Sequence, residues 1–369
     1  MKICRVTPII YPYFVGGLSI HCHELSNHQS KDGHQVTVLT VKRGYEVEEV
    51  NCYYNLKRFR WFKMPWDFLN MENPVCPGLW LELLKSDFDL LHVHSHLFFT
   101  SLFSVIISKI KGKPAVITVH GVRAVRDKAT NLLQEVWIRI FSRLIFRMVE
   151  KVFCQTQADA EEIKKYGLEN KKIEIIPNGI DTELFSQCSY DNGYILWVGR
   201  FVKEKGLEFL VEAIDDIKES FPDKQVVLVG YGPLKQEIMD NIIKKGLKSI
   251  FEYKDKCSQQ EIAQLMKKCE LFVLPSLQEG FPKSLLEAMA CGKPVITTNG
   301  LKEIVNGAGI TVEPANVEQL AKAIKEILSH PSKWKKAGLQ GRRLVEQNWS
   351  WTIVSKRIEK VYESLLSDE

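Results

Sequence analysis

The chain has 369 residues, which at about 150 per domain points to two medium-sized domains and excludes a single small module. Hydrophobic residues make up 45%, charged residues 26% and aromatic residues 10%, a composition that excludes a disordered or fibrous chain. The formal charge is +5, from 50 Lys and Arg against 45 Asp and Glu, too small for a general nucleic-acid binder; residues 1–185 carry 24 against 20 and the remainder 26 against 25, so the excess is N-terminal.

Short β-branched runs alternate with longer helical patterns throughout, the signature of βαβ units and parallel sheets. The first strand, Lys2–Thr7, lacks the uninterrupted apolar segment of a signal peptide, so export is not expected. Phe14-Val15-Gly16-Gly17-Leu18 follows as a loop before a helix starting near Ser19, and its paired glycines permit positive φ and close approach to a ligand. After the strand Val36–Thr40 comes a basic and aromatic stretch in which Lys57, Arg58, Arg60 and Lys63 interleave with Phe59, Trp61 and Phe62, followed by Trp66. The strand Leu90–His94 carries His92 and His94; with His96 the alternation puts three imidazoles on one strand face, which invites a metal reading. Leu97–Ile107 is the longest uncharged apolar stretch, well short of the roughly 20 residues that span a bilayer. The strand Ala115–Val119 ends at His120, placed to bond a sugar hydroxyl or pass a proton. Arg139, Arg143, Arg147 and Lys151 then recur every four residues through an otherwise apolar helix, and the strands Val152–Gln155 and Glu174–Pro177 close the series.

Asn178–Gly193, rich in Asn, Asp, Ser and Gly, is the expected boundary between domains 1–185 and 186–351. The second series runs through Tyr194–Gly199, Gln225–Gly230, Ile250–Tyr253, Leu271–Leu274, Val295–Thr298 and Gly309–Val312. Two such domains in tandem are expected to bind ligands in a cleft beyond the carboxyl ends of their strands. Arg200 and Lys205 lie between a strand end and a helix, where two cations can flank a diphosphate. Gly230-Tyr231-Gly232-Pro233 lacks the third glycine of a dinucleotide fingerprint. Leu271–Gly292 reads as a buried strand, a loop and a helix with Pro282 near its first turn; such a helix start offers N–H groups to a phosphate. Glu279 in that loop and Glu287 along that helix present carboxylates to two parts of one ligand. Trp349 and Trp351, before a helical pattern reaching Leu366, read as core anchors. The nine cysteines form an odd set with no C-x-x-C pair, so free thiols in a reducing compartment are expected, not disulfides or a zinc site.

The Glu279-x7-Glu287 segment, with Gly280-Phe281-Pro282 after the first Glu and Ala288-Met289-Ala290-Cys291-Gly292 after the second, resembles the retaining glycosyltransferases of the GT-B fold, specifically the GT4 family. The other segments match in the family's order over nearly the whole chain. The resemblance implies an α/β fold of the GT-B class: two tandem Rossmann-like domains with parallel sheets facing a central cleft, and a C-terminal helix, about 352–369, crossing back to the first domain. It implies a donor site of Gly16, Gly17, Arg200, Lys205, Gly230, Glu279, Gly280, Phe281, Pro282, Lys283, Ser284, Leu285 and Glu287. In that site Glu279 meets the sugar hydroxyls, the following amides meet sugar and phosphate, Glu287 holds the ribose, and Arg200 and Lys205 clamp the diphosphate. His120, Glu279, Arg200 and Lys205 would be catalytic, and His94 would line the acceptor side. No metal or other cofactor is implied, because the clamp stabilises the departing nucleoside diphosphate.

The expected reaction is transfer of a sugar from a UDP-, GDP- or ADP-sugar to an acceptor hydroxyl with retention, through a covalent intermediate on Glu279 or by reaction on one face. The first domain handles the acceptor in this family, and its basic and aromatic segments suit an anionic membrane surface, so a carbohydrate or lipid-linked acceptor is expected. The plainer alternative for these segments is a core helix with arginine stems along its edge. The expected location is the cytoplasm, peripheral on the cytoplasmic membrane face, with no nucleic-acid partner. Three other readings stay open. One is a GT-B sugar-nucleotide epimerase or an α-glucan phosphorylase, the latter lacking its pyridoxal-lysine motif. An NAD-dependent dehydrogenase is another, against which the missing G-x-G-x-x-G counts. The third is a non-catalytic sugar-nucleotide-binding subunit.

Overall fold

The computed structural model describes residues 1–10, 17–42, 52–62, 73–122, 135–188 and 193–367. The chain divides into two units, Met1–Gly179 together with Val354–Glu369, and Ile180–Ile353. The division precedes residue 185 because Ile180 and Phe185 are buried in the core of the second unit.

The first unit holds a seven-stranded parallel sheet in the order β3-β2-β1-β4-β5-β6-β7. The strands are β1 (Lys2–Thr7), β2 (Gln35–Val41), β3 (Asn55–Phe59), β4 (Leu90–His94), β5 (Ala115–Val119), β6 (Lys151–Cys154) and β7 (Ile173–Ile175). β4 and β5 are buried along their whole length, as expected of strands covered on both faces. Helices α1 (Gly17–Lys31), α2 (Pro77–Lys85), α3 (Phe99–Ile110), α4 (Arg143–Met148) and α5 (Gln157–Lys164) lie between them. Thr156 caps α5 by accepting from the Asp159 N–H.

Three sequence expectations change here. Asn55–Phe59 is a strand: β3 pairs with β2, Phe59 and Trp61 pack on the core, and Lys57 Nζ donates to Glu82 Oε1 at 2.6 Å. Lys63 and Trp66 lie outside the described residues. The arginine row does not follow one α-helix, because Ile138–Ser142 is a π-helical turn leading into α4. Lys151 therefore belongs to β6, where it pairs with Glu174 at 2.7 Å. The three-imidazole strand face also fails. β4 ends at His94, Ser95 turns the chain with a φ of 68°, and His96 packs elsewhere, its Nδ1 2.8 Å from Ser142 Oγ.

The second unit holds a six-stranded parallel sheet in the order β10-β9-β8-β11-β12-β13. Its strands are β8 (Ile195–Val198), β9 (Val226–Val229), β10 (Phe251–Lys254), β11 (Leu271–Leu274), β12 (Val295–Thr298) and β13 (Gly309–Val312). Alternation along β8 sends Ile195 and Trp197 into one core and Leu196 into another, so the sheet is buried on both faces. The helices are α6 (Leu207–Ile217), α7 (Lys235–Lys244), α8 (Gln259–Lys268), α9 (Lys283–Ala290), α10 (Lys302–Val305), α11 (Val317–Ser329) and α12 (Pro331–Asn348). A last helix, α13 (Trp351–Ser367), starts at the buried Trp351. From Val354 onward it belongs to the first unit, where the Tyr362 hydroxyl lies 2.6 Å from His92 Nδ1 and 3.5 Å from the buried Arg5 guanidinium. All nine cysteines are free thiols. Among the described residues, no helix is long and apolar enough to cross a membrane.

Candidate active site

In the second unit the candidate residues sit on loops at the carboxyl ends of β8, β9 and β11. Beyond β8 the chain passes the exposed Arg200 and makes a short 3₁₀ turn, Lys203–Lys205, that ends at Gly206. Gly206 has a φ of 59°, and a Cβ there would fall 2.2 Å from the Pro275 carbonyl oxygen. Only glycine lets this loop lie against the loop after β11. The approach delivers Lys205 Nζ to Glu279 Oε2 at 2.6 Å, and Ser276 Oγ donates to the same oxygen at 3.0 Å. Gly230, after β9, packs as closely: a Cβ there would lie 1.9 Å from the Gly199 carbonyl oxygen.

After the exposed Gly280, Phe281 and Pro282 lead into α9, whose start is capped by no side chain, so first-turn N–H groups around Ser284 and Leu285 point out of the helix end. Glu287 is 3% exposed. Burial pushes its carboxyl above the usual range, while Lys283, 3.0 Å away, pulls it down.

In the first unit Gly16 lies outside the described residues. Gly17 opens α1, and among the described residues no atom would meet a Cβ there. His94 ends β4 and His120 follows β5, so the parallel register brings the two rings to the same edge of the sheet. Gln155 Nε2 donates to His120 Nδ1 at 2.8 Å, which leaves the His120 proton on Nε2, 3.2 Å from His94 Nδ1. His94 then carries its own proton on Nε2, which is buried and meets no acceptor among the described residues. Gln155 and Asn178 exchange amide hydrogen bonds at 3.0 and 3.1 Å, and His21 Nδ1 lies 2.5 Å from Asn178 Oδ1.

Burial holds His21 down to about 4 and keeps His94 and His120 well below the usual imidazole range, with repulsion among the rings adding to it. The cluster is neutral at pH 7. His21, His94 and His120 each present a possible ligand atom within 4.8 Å of the others. In this hydrogen-bond arrangement His120 accepts on Nδ1 and carries its proton on Nε2, so an ion there would require the proton order to rearrange. Sequence reasoning missed His21, Gln155 and Asn178; only Gln155, directly after β6, carries a strand-end signal.

Residues 15–184 match the family description Glycosyltransferase Family 4, and residues 185–344 match Glycosyl transferases group 1. An uncharacterized glycosyltransferase of Methanocaldococcus jannaschii is 30% identical over 99% of this chain and 99% of its own. The chain belongs to this glycosyltransferase family. Among solved structures, sucrose-phosphate synthase from Thermosynechococcus elongatus matches the glycosyltransferase with a TM-score of 0.74 at 20% identity, over 100% of both chains. The Anabaena protein HepE, in complex with UDP and glucose, matches with a TM-score of 0.72 at 18% identity, over 99% of this chain and 100% of its own. These likenesses establish the fold, two Rossmann-like parallel-sheet domains of the GT-B class.

Proposed function

We propose that this glycosyltransferase moves a sugar from a nucleoside-diphosphate sugar to an acceptor hydroxyl, with retention of configuration and without a metal ion. The Lys205–Glu279 pair carries the reading: a cation from the loop after β8 and a carboxylate from the loop after β11 stand 2.6 Å apart. Lys205 and Arg200 take the diphosphate, Glu279 takes sugar hydroxyls, the α9 N-terminus meets phosphate and Glu287 meets the ribose. As the bond from the anomeric carbon to the phosphate oxygen breaks, charge collects on the departing diphosphate, where the two cations stabilise it. The acceptor oxygen bonds the anomeric carbon on the same face, and its proton passes to the departing phosphate oxygen. A covalent intermediate on Glu279 is disfavoured because Oε2 is already engaged by Lys205 and Ser276, which lowers its nucleophilicity. His94 offers its unaccepted Nε2–H to an acceptor hydroxyl; His120 reaches a donor sugar only by giving up one of its two hydrogen bonds. The purified enzyme is expected to release nucleoside diphosphate only when acceptor is present, and a Glu279→Ala variant that kept full rate would overturn the assignment. HepE was solved with UDP, so UDP-sugars lead a thermal-shift screen against GDP- and ADP-sugars.

The acceptor in this reading is lipid-linked, and the enzyme docks on the cytoplasmic face of an anionic membrane. Of the twelve large apolar side chains exposed among the described residues, seven lie on three neighbouring helical segments: Leu81, Leu84, Phe103, Ile110, Val136, Ile140 and Leu144. Arg139, Arg143 and Arg147 interleave with the last three, and Lys109, Arg147, Lys171 and Lys172 line a groove at the segment ends. Exposed apolar groups among cations suit an interface with anionic headgroups. Co-sedimentation with vesicles containing phosphatidylglycerol, but not with pure phosphatidylcholine, is expected, and Arg143→Glu with Arg147→Glu should abolish it. Equal binding to both vesicles, or none, removes the docking surface.

A further inference from the structure

A second site lies at the opposite edge of the second unit's sheet from the donor loops, where β11 and β12 begin. A cavity of about 280 Å³ opens there, its wall including Lys293, Ser332, Trp334, Lys335, Gln187 and Glu270. That volume is at the small end for ligand pockets, which run from roughly 300 to 1,000 Å³.

Lys293 is 6% exposed. A lysine so deeply buried normally has a carboxylate partner. Among the described residues the Lys293 ammonium has no hydrogen bond or ion pair; only its backbone N–H is engaged, by the Ala288 carbonyl at 3.2 Å. The carboxylate on the wall, Glu270, is already held by Lys224 at 2.6 Å. The cavity also meets the start of α12, an 18-residue helix whose N-cap, His330, supplies no side-chain bond. Ser332, in the first turn, has neither N–H nor hydroxyl bonded to another described residue, and Lys335 adds an exposed cation one turn later. A lysine without an ion-pair partner, on the same cavity wall as an uncapped helix start, is a donor set for an oxyanion. Trp334 adds a flat apolar wall beyond what a bare ion would need.

We propose that this cavity binds a small phosphate-bearing metabolite, with the Lys293 ammonium and the Ser332 N–H and hydroxyl on the phosphate oxygens and Trp334 against the remainder. The proposal is independent of the donor reading, since none of these residues belongs to the donor site. Calorimetric titration of the full chain with inorganic phosphate and with glucose 6-phosphate tests it. The titrations use an Arg200→Ala, Lys205→Ala background, so that the two cations of the donor loop contribute no phosphate affinity of their own. Saturable binding is expected, weakened about tenfold or more by Lys293→Met, because a charge-assisted bond is lost. Tighter binding of the sugar phosphate assigns the site to a phosphate ester, and equal or tighter binding of inorganic phosphate assigns it to the free ion. Lys335→Glu, at an exposed position, should weaken binding too and covers the case in which Lys293→Met fails to fold. No saturable binding of either probe, or affinities that neither substitution changes, overturns the proposal.

Discussion

The candidate residues of the two units meet burial in opposite ways. In the second unit charge is kept and paired: Lys205 holds Glu279 at 2.6 Å and Lys283 holds Glu287 at 3.0 Å. In the first unit charge is given up. His21, His94 and His120 are held neutral by burial, and their nitrogens are linked through Gln155 and Asn178 by hydrogen bonds. An ion pair is already set for a charged ligand, because the Lys205 ammonium has three N–H donors and Glu279 engages one of them. A neutral ring of donors and acceptors suits hydroxyl groups, and it is the part that acid disturbs.

The sharpest break of this comparison is Lys205→Ala. In the proposed reaction it removes a cation from the diphosphate, and kcat/KM should fall about 10²–10³-fold, the loss seen when one preorganised charge stabiliser is deleted. Steady-state kinetics with saturating acceptor checks it, and a loss under threefold would move the diphosphate site elsewhere. Next in size is the response to acid. The unfolded imidazoles take up protons below about 6.5, whereas folded His21 resists until about 4, so stability falls as pH drops through that window. Each such imidazole costs about 2 kcal/mol at pH 5. Urea midpoints at pH 7, 6 and 5 should fall in step, and a flat series would mean that the ring is not neutral. Gly206→Ala comes third. A Cβ 2.2 Å from the Pro275 oxygen, on a backbone at φ 59°, costs at least about 1–3 kcal/mol, read as a lowered Tm with donor affinity lost alongside.

Much of the fold was legible because the parallel strands are buried on both faces. β5, β11 and β12, buried along their whole length, occupy the residues expected from their unbroken apolar and β-branched runs. β3 was not legible. It is an edge strand whose sequence Asn55-Leu56-Lys57-Arg58-Phe59 is polar where edges are kept polar, and it reads as a surface segment. Glu279 and Glu287 stood out because their spacing along the chain is set by one loop and one helix, and Lys205 because it lies between a strand end and a helix. His21, Gln155 and Asn178 come from a helix, a strand end and the domain boundary. Nothing local marks three residues that only the sheet's register gathers.

The smallest effect tests the proton order within that gathering. Gln155 Nε2 donates to His120 Nδ1, and this one amide orientation fixes the protons on both His120 and His94. In Gln155→Glu the carboxylate can only accept, so His120 must move its proton to Nδ1 and turn a lone pair toward His94. His94 must then protonate on Nδ1 to keep the 3.2 Å bond. The two histidine bonds are re-formed in the reverse direction, but the Gln155 N–H bond to Asn178 Oδ1 at 3.1 Å has no replacement, so stability should fall by about 1–2 kcal/mol. The ring-nitrogen chemical shifts, by contrast, should exchange between the protonated and unprotonated positions on both histidines. If His120 keeps its proton on Nε2 in this variant, Gln155 does not set the order, and the contrast between a paired-charge region and a neutral, ordered one loses its second half.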